Sequence, residues 1–282
     1  MTITQLHYVL AVAEYKNFTL AAEKCFVTQP TLSMQIQKLE DELDILIFDR
    51  SKKPILLTEV GEKIVNQAKN IVNEAGRIKD IVDQQKGYIG GEFKIGIIPT
   101  IMPTLLPMFL NNFIKKYPKI KLIIEELTTQ DIITKLNNGH IDAAIAATPL
   151  NEEKIKEIVL YFEPFVAYIP ENHQHYQKQE IEVADLNLDE ILLLQDGHCF
   201  RDGILNLCKN NNRNEINHFQ IESGSFETLI KLADEGLGTT LLPYLHTLDL
   251  KDSDKTKLRH FKEPKPAREV SLIFPKSELK IH

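Results

Sequence analysis

Residues 21–43 read AAEKCFVTQPTLSMQIQKLEDEL, and this pattern predicts two helices joined by a tight turn. Thr28 suits an N-cap, and Pro30 falls in the first turn of a helix that reaches about Leu43. The apolar positions of that helix recur every three or four residues. They predict a buried stripe at Leu32, Ile36, Leu39 and Leu43.

A first helix precedes this stretch, and its apolar face comprises Leu6, Val9, Leu10 and Ala13. Thr19 is the predicted cap of the second helix, Leu20 to Cys25. Three short helices of this kind are typical of a helix-turn-helix domain, in which the last helix enters the major groove of DNA. The candidate DNA contacts at its start are Gln29, Pro30, Thr31, Ser33 and Gln35. A small helical domain without a DNA partner is the alternative.

The next segment, residues 48–58, reads FDRSKKPILLT and predicts a basic turn between two short extended pieces. This turn suits a wing that lies against the phosphate backbone through Arg50, Lys52 and Lys53. The acidic residues Glu40, Asp41, Glu42 and Asp44 should point away from DNA. From Thr58 a long helix follows, whose apolar residues at spacings of three and four predict pairing with a second copy. Such a dimer reads a near-palindromic site in double-stranded DNA.

Beyond the glycine-rich residues 87–91, predicted strands alternate with predicted helices, and over residues 93–146 this pattern indicates an α/β unit with a largely parallel sheet. A second α/β unit is predicted to begin near Pro164. We therefore predict an all-α winged helix-turn-helix domain at 1–58 and a linker and dimerisation helix at 59–86. A hinge follows at 87–91, then a first α/β lobe at 92–163 plus about 266–282, and a second lobe at 164–265. Two such lobes with a cleft between them are typical of periplasmic-binding-protein-like, small-ligand-binding folds. The last residues, 275–282, start a further helix, which predicts a longer natural chain.

Thr100 and Thr129 each follow a predicted strand and start a predicted helix, where α/β sheets bind ligands. N-capping is the alternative role for each. His218 lies on a predicted strand, residues 218–221, that leads toward the same cleft, and it is equally interpretable as a core histidine.

The composition of the 282-residue chain is that of a soluble globular protein, with 43% hydrophobic residues and a net charge of -7. No apolar run approaches the roughly 20 residues of a membrane span, and the start of the chain has no basic leader. We expect a cytoplasmic protein with no membrane partner. Its three cysteines match no zinc pattern, and we expect neither a metal nor another cofactor.

Two of the cysteines lie in residues 192–208, LLLQDGHCFRDGILNLC. A predicted strand, residues 191–194, ends before Asp196 and Gly197, so Cys199 should sit where a strand turns into a helix. The positive end of the helix dipole, together with His198 and Arg201, predicts a reactive thiol. A buried, inert cysteine is the alternative.

Cys208 lies nine residues further on. If the intervening segment is helical, the two Cα atoms are about 13 Å apart, whereas a disulfide needs less than about 7 Å. A bond between them would therefore require the segment to unwind. Two unconnected core cysteines remain the other possibility.

Three motifs of the amino-terminal region, AAE at 21–23, TQPTLS at 28–33 and KLEDEL at 38–43, resemble the LysR-type transcriptional regulators, and the domain order agrees over essentially the whole chain. Within that family, DGHCFRD at 196–202 with Cys208 is similar to the hydrogen peroxide sensors, as are IPT at 98–100, Cys25 and HF at 218–219. The resemblance implies a peroxidatic Cys199 and a resolving Cys208. It implies a peroxide pocket made of Thr100, Thr129, His198, Arg201 and His218.

The same resemblance implies a homotetramer, a dimer of dimers, that works with RNA polymerase to control antioxidant genes. Met34 departs from the family, which often has Arg, Gln or Gly there, so the operator sequence cannot be inferred. Residues 204–207, between the cysteines, are also particular to this chain. Two other functions compete with peroxide sensing: a LysR-type regulator that binds a metabolite in the cleft, and a thiol peroxidase that turns over at Cys199.

Overall fold

The computed structural model describes residues 1–85, 90–208 and 223–276. They form two compact units, one at the amino terminus and one after Gly90. In the described part of the chain, no helix is both long enough and apolar enough to cross a membrane. The predicted hinge lies largely outside the described residues, as do His218 with its predicted strand and the predicted helix start at the carboxyl end.

The amino-terminal unit begins with three helices, α1 (Ile3–Tyr15), α2 (Phe18–Lys24) and α3 (Gln29–Leu43), as predicted. Thr28 caps α3, since its Oγ1 accepts the backbone N–H of Thr31. The prediction that Thr19 caps α2 is wrong, because Asn17 Oδ1 accepts the N–H groups of Thr19 (2.8 Å) and Leu20 (3.1 Å). The core of the unit includes Leu6, Val9, Val12, Ala21, Leu32, Ile36 and Leu39.

The buried stripe of α3 ends differently from the prediction. Leu43 is exposed, and Glu40 is buried in the last turns of the helix. Glu40 Oε1 accepts the N–H groups of Ile47 (2.8 Å) and Phe48 (3.2 Å), while Oε2 pairs with Arg50 (2.7 Å). Glu40 is thus not part of an outward-facing acidic end; it attaches the wing to α3.

The wing is a two-stranded antiparallel ladder of β1 (Phe48–Asp49) and β2 (Leu56–Leu57). The long helix α4 (Glu59–Gln85) follows, as predicted, and the Thr58 hydroxyl accepts the N–H of Gly61 at its start. Val65 and Ala68 pack into the amino-terminal core. Val60, Ile78 and Val82 are exposed apolar residues of the same helix.

The second unit contains an eight-stranded sheet in the order β4-β3-β5-β10-β6-β9-β7, with β8 paired to β6. The strands are β3 (Gly91–Ile97), β4 (Ile120–Glu126), β5 (Ala143–Thr148), β6 (Ile155–Tyr168), β7 (Glu180–Ile181), β8 (Thr240–Pro243), β9 (Leu258–Phe261) and β10 (Ala267–Pro275). The helices are α5 (Met102–Lys116), α6 (Thr129–Asn137), α7 (Cys199–Leu207), α8 (Phe226–Asp234), α9 (Tyr244–Leu248) and α10 (Asp252–Lys255).

The parallel pairing predicted for the strands of residues 93–146 is confirmed, but it does not extend to the rest of the sheet. β3 runs parallel to β4 and β5, but β10 returns between β5 and β6 and is antiparallel to both. β6 also pairs antiparallel with β8 and β9, so this single long strand contributes to both lobes. The predicted strand at 191–194 is likewise absent from the described structure, where Ile191 makes only an isolated bridge to Thr239.

Two hydrophobic cores fill the second unit. The core of lobe I, built around Ile97, Ile132 and Ile145, lies between the parallel strands and their helices. The core of lobe II, built around Tyr168, Leu229 and Leu242, packs α7 and α8 against the sheet. These cores position α7, because its residues contribute to both of them.

Candidate functional site

The site centres on the first turn of α7. Gly197 has a φ of +87°, which places the backbone in the left-handed region just before His198 at the N-cap. Cys199 is the first residue of the helix and is half-buried against the lobe I core. Its thiol therefore lies at the positively polarised end of a nine-residue helix, as the sequence predicted.

Cys208 lies at the other end of α7, as its C-cap. It is almost fully buried in the lobe II core together with Phe200 and Ile204, and this burial raises the pKa of its thiol. Nine residues of helix separate the two cysteine Cα atoms by about 13 Å. The helical geometry on which the sequence argument depended is thus present, and the two thiols belong to different cores.

Thr100 is buried beside this region, and it does not cap α5. That helix begins at Met102 with Ile101 at the N-cap. Instead, Thr100 accepts two hydrogen bonds from Arg268, one at Oγ1 (2.8 Å) and one at its carbonyl oxygen (3.1 Å). The Thr100 hydroxyl hydrogen remains available for donation toward a bound molecule.

Arg268 is a residue of the site that the sequence argument missed. Its guanidinium forms a buried ion pair with Glu163, with nitrogen–oxygen distances of 2.7 and 2.9 Å. Its Cζ also lies 5.1 Å from the centroid of the Phe200 ring, next to Cys199. The available signal was an arginine near the start of a largely apolar strand. Its partner Glu163 is 105 residues away.

Thr129 is the first residue of α6, and its hydroxyl is unusual. Capping is done by Thr128, whose Oγ1 accepts the N–H of Asp131 (3.2 Å). Within the described part of the chain, Thr129 Oγ1 is buried and has no hydrogen-bond partner. A buried hydroxyl without a partner is destabilising by about 1–3 kcal/mol, so it marks a place where a polar ligand would be favoured.

His198 is buried, and desolvation lowers the pKa of its imidazole, while the Glu126 carboxylate at the end of β4 acts in the opposite direction. The side chain is therefore mainly neutral at neutral pH. Arg201 does not extend freely into the site: its Nε pairs with Asp196 (2.8 Å) and its Nη1 donates to the Leu194 carbonyl (3.0 Å). These bonds hold the loop before α7, and the role of Arg201 toward a ligand stays a prediction.

Tyr161 is a second residue that the sequence argument did not identify. It lies two positions before Glu163 on β6 and contacts the lobe I core, as Cys199 does. Its hydroxyl is buried without a partner in the described structure, and burial, reinforced by Glu163, raises its pKa to about 12. The hydroxyl is therefore protonated at neutral pH and can donate a hydrogen bond.

The candidate DNA contacts lie on α3 and the wing. Pro30, Thr31, Lys52 and Lys53 are exposed, whereas Gln29, Ser33 and Gln35 are half-buried. Arg50 is committed within the unit, since it pairs with Glu40 and stacks over the Phe18 ring at 5.1 Å. Met34 is 60% exposed, on the side of α3 opposite the buried stripe.

Comparisons with known proteins match both the amino-terminal unit and the region that carries Cys199. Residues 3–62 match the family described as "Bacterial regulatory helix-turn-helix protein, lysR family", and residues 86–280 match the LysR substrate binding domain. The chain is 34% identical over 274 residues to the DNA-binding transcriptional dual regulator OxyR of Escherichia coli, covering 97% of this chain and 89% of that protein. A hydrogen peroxide-inducible genes activator of Pectobacterium carotovorum is also 34% identical, with 97% and 90% covered.

Solved structures show the same fold. A full-length OxyR variant from Pseudomonas aeruginosa superposes with a TM-score of 0.79 at 36% identity, covering 99% of this chain and 94% of that one. A hydrogen-peroxide-bound OxyR mutant of Corynebacterium glutamicum gives a TM-score of 0.64 at 30% identity, with 99% and 88% covered.

The contrast between the two cysteines of α7 can be measured by alkylation of the reduced protein. Because the thiolate is the reactive form, a raised pKa lowers its fraction at neutral pH. We predict that iodoacetamide modifies Cys208 at least about tenfold more slowly than Cys199 at pH 7.5, and that the Cys208 rate continues to rise above pH 9.

Peptide mass spectrometry resolves the two sites, and Cys25, whose pKa burial also raises, serves as an internal slow thiol. In urea, where burial is lost, the rates should converge. Equal rates for Cys199 and Cys208 in the native protein would contradict the prediction.

Proposed function

Because the chain belongs to the LysR family of bacterial transcriptional regulators, we propose that it senses hydrogen peroxide through Cys199 and thereby controls antioxidant genes. The observation that carries this proposal is the position of Cys199: a half-buried thiol at the start of α7, against the lobe in which Thr129 offers a buried hydroxyl without a partner. The names of the OxyR relatives support the same chemistry.

In the first step, the Cys199 sulfur attacks one peroxide oxygen and the O–O bond breaks. Cys199 becomes a sulfenic acid, and the other oxygen leaves as hydroxide, which takes a proton to become water. Thr100, Thr129, His198 and His218 are the proposed donors that orient peroxide or stabilise this leaving oxygen. Arg268 supports them, because it fixes the Thr100 hydroxyl.

In the second step, the Cys208 sulfur attacks the Cys199 sulfur, and the sulfenic oxygen leaves as water. Because α7 separates the two cysteine Cα atoms by about 13 Å, this disulfide forms only after the helix unwinds. A cytosolic dithiol then reduces the bond and restores both thiols. The changed surface around α7 is the signal.

We propose that the signal acts on DNA bound by the amino-terminal unit, through base contacts from Gln29, Pro30, Thr31, Ser33 and Gln35 and phosphate contacts from Lys52 and Lys53. Arg50, already paired with Glu40, supports the wing and contributes its remaining donors to phosphate. The exposed apolar residues of α4 suit pairing with a second copy. The working assembly is proposed to be a cytoplasmic homotetramer that contacts RNA polymerase.

The proposal is tested by thiol counting and intact-mass spectrometry after one stoichiometric pulse of peroxide. Wild type should lose two thiols with formation of a Cys199–Cys208 disulfide. Cys208→Ser should stop at a sulfenic or over-oxidised Cys199, and Cys199→Ser should not respond. A metabolite sensor predicts no thiol loss in any variant, and a thiol peroxidase predicts continued peroxide consumption when a thiol donor is present.

The role of the Thr129 hydroxyl is separated from helix capping by comparison with its neighbour. Thr129→Val keeps the shape and removes the free hydroxyl, so we expect Cys199 oxidation by peroxide to slow about tenfold, the effect of one lost hydrogen bond. Thermal stability should rise, because the substitution removes a buried hydroxyl that has no partner.

Thr128→Val is the matched control. It removes the α6 cap and should lower stability by about 1 kcal/mol while leaving the peroxide rate within about twofold. Stopped-flow kinetics and thermal melts measure both quantities. If Thr129→Val lowered stability and left the peroxide rate unchanged, Thr129 would have a structural role only.

The DNA contacts are tested on a site selected by the protein from random DNA. Lys53→Gln should reduce the slope of log affinity against log salt by about 0.9, the release of one counterion per phosphate contact. Thr31→Ala should weaken binding to the selected site and leave that slope unchanged.

Lys63→Gln on α4 is the control, since Lys63 is an exposed lysine that pairs with Glu59 and is not among the proposed contacts. Fluorescence anisotropy at several salt concentrations gives both values. The phosphate contact of the wing would be contradicted if Lys53→Gln left the slope of log affinity against log salt unchanged. It would also be contradicted if Lys63→Gln lowered that slope equally.

A further inference from the structure

Phe200, the residue after Cys199, lies in an aromatic enclosure. The Phe165 and Phe226 rings meet it edge to face, each with a centroid distance of 5.1 Å and interplanar angles of 83° and 85°. The Arg268 guanidinium lies over the same ring at 5.1 Å. Phe200 is only 1% exposed, so its ring is enclosed by protein on all sides.

Neighbouring residues at the start of α7 face different cores. Cys199 packs against the lobe I core, whereas Phe200 and Cys208 belong to the lobe II core. Consecutive Cα atoms are about 3.8 Å apart, while Cys199 must approach Cys208 by several ångströms to form a bond. Cys199 can therefore contribute little to closing that distance while the Phe200 ring stays in its enclosure.

We infer that Phe200 is the positioning residue that keeps Cys199 in the peroxide site and away from Cys208. The inference rests on the proposed function and assigns its two chemical steps to different residues. Thr100 and Thr129 govern the reaction with peroxide, and departure of Phe200 from its enclosure governs disulfide formation. Phe200 thereby sets the lifetime of the sulfenic acid and the ease with which the disulfide is reduced.

The contacts around Phe200 require an aromatic ring. Edge-to-face pairs and a stacked guanidinium depend on the ring quadrupole, which a leucine of similar apolar character lacks. Phe200→Leu therefore weakens the reduced conformation of α7 specifically. We expect it to accelerate the conversion of Cys199 sulfenic acid to disulfide by about tenfold, since each aromatic pair accounts for a factor of roughly two to ten.

The experiment compares Phe200→Leu with Phe261→Leu in the full chain. Phe261 is equally buried in the lobe II core, and no ring contact joins it to Phe200 in the described structure, so it controls for general weakening of the lobe. Stopped-flow mixing with peroxide, followed by timed acid quench and mass spectrometry, separates sulfenic acid formation from disulfide formation. In Phe200→Leu the first rate should stay within about twofold and the second should rise, whereas Phe261→Leu should change neither beyond about twofold.

Equilibration in dithiothreitol buffers gives the second readout. Dithiothreitol supplies the two electrons and two protons that return the disulfide to thiols, and Phe200→Leu should shift this equilibrium about tenfold toward the disulfide. Phe226→Leu, which removes one of the two edge contacts, should shift it in the same direction by less. This milder variant keeps the test valid if Phe200→Leu does not fold.

The outcomes distinguish this inference from the proposed function. If wild type keeps its thiols after peroxide, the proposed function fails. Diamide, which accepts two electrons and two protons from the thiols, then serves as the oxidant, and the rate of disulfide formation in each variant still tests the role of Phe200. If wild type responds but Phe200→Leu forms the disulfide at the wild-type rate, the positioning role of Phe200 is overturned. Equal acceleration by Phe261→Leu would overturn it as well.

Discussion

The buried ion pair between Arg268 and Glu163 is the interaction on which the sensing region depends. Glu163 lies on β6 and Arg268 on β10, the two strands that run side by side through the middle of the sheet. Breaking such a pair by removing one partner leaves an uncompensated buried charge, a destabilisation of about 3–5 kcal/mol. The ion pair therefore fixes the position of the Arg268 guanidinium. The remaining N–H groups of Arg268 donate to Thr100, and the flat face of the guanidinium packs on the Phe200 ring. One guanidinium thus connects a candidate peroxide donor to the helix that carries the thiol.

The short helix α7 spans two cores, and this arrangement makes a reversible switch physically reasonable. A disulfide closing so short a loop stabilises the protein by only a few kcal/mol, and removing Phe200 and Ile204 from a core is unfavourable by a similar amount. The two forms are then close in free energy. Burial also keeps the pKa of the Cys208 thiol raised in the helical form. In the proposed mechanism, Cys208 therefore becomes a nucleophile mainly when the helix opens.

Local rules predicted the elements that depend on local contacts. The caps and apolar spacings around Thr28 and Thr58 predicted α3 and α4, and the turn at Gly197 predicted the start of α7. One failure is local, since Asn17, two residues earlier, caps α2 in place of Thr19. The failures at Glu40 and Arg268 involve partners outside their own elements. Glu40 was assigned to an exposed acidic end because its bonds go to the wing, and Arg268 was missed because Glu163 and Thr100 are 105 and 168 residues away. The sequence placed Thr100 and Thr129 at strand ends, but only coordinates show that neither is a cap.

The charges around the site also bear on what kind of molecule it can accept. An anionic metabolite needs a cation with free donors, yet in the described structure the Arg268 guanidinium is neutralised by Glu163 and the Arg201 guanidinium is paired with Asp196. His198 is mainly neutral at neutral pH, because burial lowers its pKa. Among the described residues, the hydroxyls of Thr129 and Tyr161 are neutral donors, each buried without a partner. Since burying an unpaired charge is far less favourable than burying a small neutral molecule with hydrogen bonds, the described groups favour an uncharged peroxide over a carboxylate.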